Sequence, residues 1–448
     1  MEFFSFFDLF FAILLSLLLY QRSKNKFTAS FYKGYHHKGL LAKFIGTFLF
    51  CGIYLFYYQG GDTINYYHGI KTFYDLFWKD IGTFFRLMLE DDKYVYYIDF
   101  AEHQVGFPPK YMLKDSRTLM VIKITTFLSF PALGGFFSTS ILLSYLTYRW
   151  IWRGFTFVLE RYPEISKQLS WCFLYLPSII FWGSGIMKDT FTYAASAYSL
   201  YAINEVFVKG KRNLSKIVAL SVAVYLIISI KAYIIFALLP GILIFLNFER
   251  IAKIKSTVVK LIVLPFFTLL FFLIGQGFFL QLGDQFGKYS ADRILEEAVI
   301  QQQDLTRTEA YGENVFDIGE FDATLTGVLS KAHLAISAAL YRPFLWEVGS
   351  PTMVFSAIEN TMLLLASLYF LIKVGPFKFF KNIFNDAYLI FCLSFTIILA
   401  FGIGLSTASF GALVRYKIPF LPYFSSMFFI LYATKRKRLN PASNPEKS

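Results

Sequence analysis

Seven charged residues stand at or inside the ends of long apolar runs. Burying an ionisable side chain there costs free energy unless it is paired or hydrated, so such residues are candidates for a function. Two are acids and five are bases: Asp62, Asp189, Lys188, Lys231, Arg342, Arg415 and Lys417. A carboxylate in such a place can act as a general base or ligate a divalent cation, and cations can hold phosphate oxygens. Together they predict a site for an anionic substrate with a base or a metal ion beside it.

Asp62 follows Gly60 and Gly61 directly after an apolar run, and the two glycines let the backbone turn sharply. The turn predicts a carboxylate held close to the bilayer surface, as a catalytic base or as a ligand of Mg²⁺ or Mn²⁺. The alternative is a turn in which Asp62 only caps the next helix. The sequence does not choose between these two interpretations.

Lys188 and Asp189 follow the glycine-containing turn Trp182-Gly183-Ser184-Gly185 and begin another apolar run. A helix N-terminus attracts anions, so Lys188 is predicted to bind substrate phosphate and Asp189 to be a second catalytic carboxylate. The alternative is that Asp189 caps its own helix while Lys188 extends to water. We favour function, because a glycine-rich hairpin with a cation at a helix start is more than capping needs.

Lys231 lies between two apolar runs with almost no loop. It is predicted to bind substrate, although a hairpin apex that simply reaches water would explain it as well.

Two further groups precede the last runs of the chain. Arg342 offers a planar fork for phosphate, and Trp346 could stack on a sugar face or stand in the aromatic belt of the membrane. Glu359 lies inside the following run and needs a partner. Arg415 and Lys417 are predicted to bind an anionic substrate, with side chains that reach lipid headgroups as the alternative.

The composition requires a membrane protein. Hydrophobic residues make up 56% of the 448 and charged residues only 16%, against about 25% charged in ordinary globular proteins. The net charge of +13 does not indicate nucleic-acid binding, because the bases lie in short loops between apolar runs. The three cysteines all fall inside apolar runs, which argues against a disulfide framework or a zinc site. The first run, without a basic segment before it or a cleavage site after it, is interpreted as a retained helix.

Eleven apolar runs are long enough to be read as membrane crossings, which need about 20 residues each. They lie near 2–20, 41–59, 132–151, 170–184, 190–207, 216–231, 234–248, 259–280, 352–372, 386–404 and 417–433. Segment 118–131 is interpreted as an interfacial or re-entrant piece, because a twelfth crossing would spoil the charge pattern. The fold class is therefore an all-α polytopic membrane protein.

Charge sets the orientation. The loops 21–43, 149–167, 209–216, 249–260 and 373–381 and the tail from 434 hold 26 of the 43 Lys and Arg, whereas the long loops 60–117 and 282–350 hold 12 bases against 20 acids. Positive-inside bias then places the N-terminus outside and the C-terminus in the cytoplasm. The basic loops themselves are assigned no chemistry.

The domain organisation is predicted to be one transmembrane domain, 1–434, followed by a basic, disordered cytoplasmic tail, 435–448. The outer loops are 60–117 and 282–350. Within the first, Phe73–Leu89 predicts one amphipathic helix along the membrane surface. Within the second, a helix after about residue 322 is predicted to cap a cavity.

The chain resembles the EpsG-like and O-antigen-polymerase-like membrane proteins of bacterial polysaccharide loci, which in turn resemble GT-C glycosyltransferases. The segments that carry the likeness are GGDTINYY at 60–67, PSIIFWGSGIMKD at 177–189, IKAYI at 230–234, YRPFLWE at 341–347, IEN at 358–360 and RYKIP at 415–419. The resemblance implies sugar transfer at the outer face from a polyprenyl-phosphate or polyprenyl-diphosphate donor to a glycan acceptor. It also implies that Asp62 is the base or metal ligand, although GT-C enzymes carry this acid after their first span and here it follows the second. A polymerase-like enzyme would instead rely on Arg342 and Arg415.

Three functions follow. The first is an inner-membrane glycosyltransferase or polysaccharide polymerase that acts among membrane lipids on a lipid-linked sugar. The second is a transporter or flippase of a lipid-linked saccharide, against which the absence of an internal repeat weighs. The third is a non-catalytic scaffold of a synthase complex.

Overall fold

The computed structural model describes residues 4–26, 32–90, 92–248, 315–319, 321–322 and 324–439. All regular secondary structure in these ranges is helical, and the only pairing of β type is an isolated bridge between Val315 and Ser409. The predicted all-α class is confirmed for them. The predicted span 259–280 and most of loop 282–350 lie outside the described residues.

Within the described ranges, five helices are long and apolar enough to cross a membrane. They are Phe6–Lys24, Lys33–Tyr57, Leu214–Lys231, Met353–Val374 and Ala387–Ser406. The chain is therefore a helical membrane protein. The number of eleven crossings stays a prediction.

Contacts within the chain group it into two compact units. The first comprises residues 1–155, 179–201 and 218–231, and the second comprises residues 156–178, 202–217 and 232–448. The predicted single transmembrane domain stays a prediction.

The first unit contains most of the N-terminal helices. They are α1 (Phe6–Lys26), α2 (Lys33–Gly52, continued by a π-helical turn Ile53–Tyr57), α3 (Asp62–Lys79), α4 (Ile81–Leu89), α5 (Lys93–Glu102), α6 (Lys110–Lys114), α7 (Ser116–Ser129), most of α8 (Phe136–Arg161), most of α11 (Lys188–Ile203) and most of α12 (Leu214–Lys231). α1 packs on α2, and α3 packs on α7. α7 has 14 residues, and its interpretation as an interfacial or re-entrant piece stays a prediction.

The single amphipathic helix predicted over Phe73–Leu89 is wrong, because Asp80 divides it. Asp80 adopts extended backbone, and its carboxylate accepts hydrogen bonds from the N–H groups of Gly82 (2.9 Å) and Thr83 (3.2 Å). This N-cap ends α3 and starts α4. The two helices can therefore change direction at Asp80.

Lys43 was predicted to be a cation of the first cytoplasmic loop, and this prediction is also wrong. It lies in the middle of α2, only 5% exposed, and its ammonium donates to the carbonyl of Gly183. The apolar residues Leu40, Leu41 and Phe44 around it continue the helix through the charge.

A buried carboxylate joins α1 to α8. Asp8 Oδ2 accepts from the N–H of Phe137 (2.8 Å), and Oδ1 accepts from the N–H (3.1 Å) and hydroxyl (2.6 Å) of Ser138. Asp8 thus caps the first turn of α8 from another helix, where the backbone N–H groups have no partner within their own helix. Gly135 leaves the space for it, since a Cβ there would overlap the Asp8 carboxylate.

Replacing Asp8 by Ala is expected to destabilise the protein by about 2 kcal/mol, because it strands buried donors at a helix start. Thermal unfolding of the purified protein in detergent measures the loss. Asp92→Ala, which removes the exposed N-cap of α5, is the matched control and should cost about 1 kcal/mol or less. An equal loss of stability in Asp8→Ala and Asp92→Ala would show that the buried cap stabilises the protein no more than the exposed one.

The second unit contains the end of α8 and the helices of the C-terminal half. They are α9 (Ser166–Ser170), a π-helical turn (Trp171–Tyr175), α10 (Pro177–Trp182, its first two residues), a π-helical turn (Asn204–Val208), α13 (Tyr233–Leu246), α14 (Leu325–Ser330), α15 (Ala332–Tyr341), α16 (Pro351–Val374), α17 (Pro376–Ile383), α18 (Ala387–Ser406), α19 (Phe410–Tyr416) and α20 (Leu421–Leu439). α18 is central, since it packs against α13, α15 and α20. Its buried Tyr388, Phe391 and Phe395 surround the ring of Tyr423 from α20.

The basic tail begins as helix. α20 continues through Lys435-Arg436-Lys437-Arg438 to Leu439, and the disordered tail over 435–448 stays a prediction. Residues 440–448 lie outside the described residues. The helix for loop 282–350 corresponds to α14 and α15, and its role as a cap over a cavity stays a prediction.

Candidate functional site

Two ion pairs meet at the start of α11 in the first unit. Lys188 Nζ lies 2.7 Å from Asp115 Oδ2, and the next residue, Asp189, accepts from Lys231 Nζ at 2.5 Å. The turn before α11 contains Gly185 at φ +76, a conformation that glycine adopts without strain. Two charges of α11 itself, Lys188 and Asp189, thus meet one charge before α7 and one at the end of α12, around a helix N-terminus that itself favours negative charge.

The pair of Asp189 and Lys231 is buried. The two side chains are 3% and 7% exposed. The Asp189 carboxylate therefore forms an ion pair with a cation of α12, so it does not only cap its own helix. Lys231 is not an apex that reaches water, because it is held inside the unit by this bond.

The pair of Lys188 and Asp115 is more open, with side chains 20% and 38% exposed. Asp115 also caps α7, accepting from the N–H of Arg117 (3.3 Å) and the hydroxyl of Thr118 (2.7 Å). Burial raises the pKa of Asp115, but the charge and hydrogen bond of Lys188, with the bond of Thr118, lower that pKa to about 2. Asp115 was not among the predicted site residues, although its place before Ser-Arg-Thr is typical of an N-cap.

This shift predicts a pH dependence. Because the pKa of Asp115 is lowered in the folded protein from 3.8 to about 2, its stabilising contribution is present above pH 3.8 and is lost as the pH falls through about 2. The difference in unfolding temperature between wild type and Asp115→Asn should therefore be full near neutral pH and should vanish between about pH 4 and about pH 2. A difference that stays constant over this interval would contradict the ion pair.

Asp62 is the first residue of α3 and is half-buried. Before it lies a pocket of about 240 Å³, lined by Tyr54, Tyr58, Gly60 and Gly61. On the other side, Asn65 donates to the hydroxyl of Tyr111 in α6 at 2.7 Å. Burial, and the charge of Asp62, raise the pKa of Tyr111, which places this phenol within electrostatic reach of the carboxylate.

Short helix α6 connects Asp62 to the ion pairs. Tyr111, near its start, contacts the Asp62 region, and Asp115, just after its end, contacts Lys188. Four residues of α-helix span about 6 Å. A chain of contacts in the first unit therefore links the Asp62 region to Lys188, whose neighbour Asp189 is bonded to Lys231.

The described residues do not fit a metal site. No group of three or more His, Cys, Asp or Glu that could hold a metal ion occurs among them. Mg²⁺ and Mn²⁺ prefer several oxygen ligands, and Asp62 would supply one carboxylate. No step proposed below therefore runs through a metal ion.

In the second unit, Arg342 is already engaged. Its Nε lies 2.9 Å from Glu347 Oε1, its Nη2 bonds to the same carboxylate, and the guanidinium stacks over Phe316. Its predicted role in phosphate binding requires that Glu347 give way. Trp346 is 78% exposed and stacks on Phe344, an arrangement open to a sugar face or to lipid headgroups.

Lys417 is fully buried, which contradicts the alternative that its side chain reaches lipid headgroups. Its ammonium donates to Asn360 Oδ1, and Asn360 donates to the carbonyl of Arg342 at 2.8 Å. The neighbouring Glu359 is buried as well and accepts from the N–H of Ser178 at 2.8 Å. Glu359, the acid that needed a partner, and Lys417 thus belong to one buried polar network.

Arg415 stays half-exposed at the end of α19, with its guanidinium over the ring of Tyr416 at 6.0 Å. The first unit therefore gathers Asp62, Lys188, Asp189 and Lys231, whereas the second unit gathers Arg342 and Lys417 through Asn360. The functional roles of all the predicted residues, Trp346 and Arg415 included, stay predictions. Asp8, Lys43 and Asp115 are the buried or bridging charges that the sequence did not single out.

No family model matches this chain, and neither the curated proteins nor the solved structures contain a match to it.

Proposed function

We propose that the chain is an enzyme of the bacterial inner membrane that transfers or polymerises glycosyl units from a polyprenyl-phosphate-linked or polyprenyl-diphosphate-linked donor. In this proposal it crosses the membrane eleven times in a GT-C-like fold. The N-terminus and the site are outside, and the C-terminus is cytoplasmic. The donor and the glycan acceptor are its partners, within the lipid bilayer.

The observation that carries the proposal is the neighbourhood of Asp62, Asp115 and Lys188 around α6. It supplies a half-buried carboxylate and, linked to it through Asn65, Tyr111 and α6, a partly exposed cation at a helix N-terminus. Glycosyl transfer needs this combination: a base for the acceptor and a cation for the departing phosphate.

The chemistry follows from those two groups. Asp62 accepts the proton of the acceptor hydroxyl. At the same time the oxygen of that hydroxyl forms a bond to the anomeric carbon of the donor sugar. The bond from that carbon to the phosphate oxygen breaks, and the phosphate leaves with the electron pair. Lys188 exchanges Asp115 for the departing phosphate, since that pair is the more exposed of the two. The pair of Asp189 and Lys231 holds the start of α11 in place.

The test uses variants that keep the charge environment as constant as they can. Asp62→Asn and Lys188→Met should each lower surface glycan by roughly 10²-fold or more, the range for losing a general base or a charge stabiliser. Asp75→Asn, which removes an exposed carboxylate bonded to Lys71 on α3, is the control and should leave glycan unchanged. Normal glycan in both site variants, at normal membrane levels, would refute the assignment.

A transporter of lipid-linked saccharide is the second candidate, and one observation favours it. Helices are interrupted beside buried lysines: α12 ends at Lys231 before α13 begins at Tyr233, and α19 ends at Tyr416 before α20 begins at Leu421. Discontinuous helices mark the substrate sites of many transporters. Purified protein in proteoliposomes decides between the two, because a transporter moves the lipid-linked sugar between leaflets without changing it, whereas the enzyme lengthens the glycan.

A further inference from the structure

We infer that the pocket formed by Tyr54, Tyr58, Gly60 and Gly61 beside Asp62, here called the tyrosine pocket, binds the uncharged saccharide part of the substrate. The inference rests on the proposed function and deepens it, because it separates the place of the sugar from the place of the phosphate. The phosphate goes to Lys188, and the sugar goes to the tyrosines.

The walls of the pocket are two aromatic rings on one side of the end of α2. Tyr54 and Tyr58 are four residues apart, and their ring centroids are 5.2 Å apart at 51°. Tyr54 is only 7% exposed and is held by Phe50 (4.6 Å) and Trp182 (6.5 Å), whereas Tyr58 is 43% exposed. One ring is therefore fixed and the other presents an open surface.

The same packing ties the pocket to the ion pairs. Phe50 contacts Tyr54 on one side and Trp182 on the other. It also closes over Gly185 in the turn before α11, where a Cβ would overlap its ring. The fixed wall of the pocket and the turn that carries Lys188 thus share one aromatic support.

The chemistry of the lining selects the ligand. No cation lines the pocket in the part of the chain that is described, and the nearest charge along the chain is the Asp62 carboxylate. A phosphate would be repelled there, because like charges at short range disfavour each other. A saccharide fits, since its hydroxyls can donate to the carboxylate while its C–H faces pack on aromatic rings.

A lipid headgroup would be expected at other tyrosines and phenylalanines of this helix end. Phe56 and Tyr57 are 50% and 54% exposed and do not line the pocket. They suit the aromatic belt of a membrane protein. Tyr54 and Tyr58 turn to the pocket instead, which distinguishes them from residues that only meet lipid.

Gly61 shapes the floor of the pocket. Its φ is +96, and a Cβ there would lie 2.9 Å from the Tyr54 ring. Gly60 is different, because a Cβ there would meet nothing closer than 4.0 Å. Gly61→Ala should therefore disturb the pocket, whereas Gly60→Ala should be accommodated.

The experiment is saturation-transfer NMR on purified full-length protein in nanodiscs with six free sugars: glucose, galactose, mannose, rhamnose, N-acetylglucosamine and N-acetylgalactosamine. We expect at least one to receive saturation at its ring C–H protons, and Tyr58→Ala to weaken its binding roughly tenfold. Phe56→Ala, a neighbour that is 50% exposed and does not line the pocket, should leave binding unchanged. Gly61→Ala should resemble Tyr58→Ala, and Gly60→Ala should resemble wild type.

Two results would overturn the inference: no saturation of any of the six sugars, or equal binding by wild type and Tyr58→Ala. A synthetic short-chain polyprenyl-phosphate sugar distinguishes a lipid-linked from a free saccharide, because only the former should also lose affinity in Lys188→Met. Failure of the proposed function is a separate outcome. In that case the sugar still binds in a Tyr58-dependent way, while purified protein transfers no sugar.

Discussion

Replacing Lys231 by Met is expected to destabilise the protein by about 3–5 kcal/mol and to reduce its level in the membrane sharply. The ammonium lies 2.5 Å from Asp189, and both side chains are almost fully buried. Removing the cation leaves the Asp189 carboxylate in a low-dielectric interior without it, which costs far more than the ion pair is worth in water. Thermal unfolding of the solubilised variants measures the effect.

The double variant Lys231→Met with Asp189→Leu separates the loss of a pair from the loss of one partner. It should recover at least half of the lost stability, because no stranded charge remains. Lys71→Met is the matched control on the same unit, since its pair with Asp75 is 40% and 38% exposed and should be worth no more than about 0.5 kcal/mol. If Lys231→Met unfolds no earlier than Lys71→Met, the pair is not a structural element.

The activity of the double variant shows whether the pair has a role beyond stability. If the double variant is stable and still makes surface glycan, the pair of Asp189 and Lys231 only holds α11 in position. If it is stable and inactive, one of the two residues takes part in the reaction, as the sequence predicted for both.

Replacing Lys417 by Met is expected to destabilise the second unit by about 1–3 kcal/mol, because it leaves the buried Asn360 Oδ1 without its donor. Lys417 is fully buried and bonded to Asn360, and it provides a positive charge close to the buried Glu359. Glu359 has one carboxylate oxygen without a hydrogen-bond partner among the described groups, so it depends on this charge. Without Lys417, the carboxylate would have to take up a proton or draw in water.

Adding Glu359→Gln to Lys417→Met should restore part of the stability, because it removes the charge that the first change strands. Lys373→Met, at an exposed lysine near the end of α16, is the control and should change the unfolding temperature little. A stable Lys417→Met protein that has lost only its activity would contradict this structural role. It would return Lys417 to the predicted role of substrate ligand.

Both predictions bear on how the cations should be interpreted. Lys188, Lys231, Arg342 and Lys417 were singled out as receptors for phosphate, and each has a polar partner inside its own unit. A buried cation needs such a partner whether or not a substrate ever binds. Exposure therefore decides which of them can change partners, and it favours Lys188 in the first unit.

Some features were determined by the sequence alone, because they depend on short stretches of chain. Apolar runs near 20 residues predict membrane helices, and an Asp, as a favoured N-cap residue, can predict a helix start. Asp80 and Asp115 both follow that rule, so the division of Phe73–Leu89 and the start of α7 could have been derived from sequence. The position of each charge relative to the apolar runs was equally visible.

The partners of those charges were decided only by the tertiary structure. Lys231 and Asp189 are separated by 42 residues, Lys188 and Asp115 by 73, and Lys417 and Asn360 by 57. Periodicity and capping act over about four residues, so they carry no information about which helices pack together. Lys43 illustrates the consequence. The sequence counts it as a loop cation, but it lies inside α2, where its ammonium donates to the carbonyl of Gly183. Only the packing of the helices brings that carbonyl within reach.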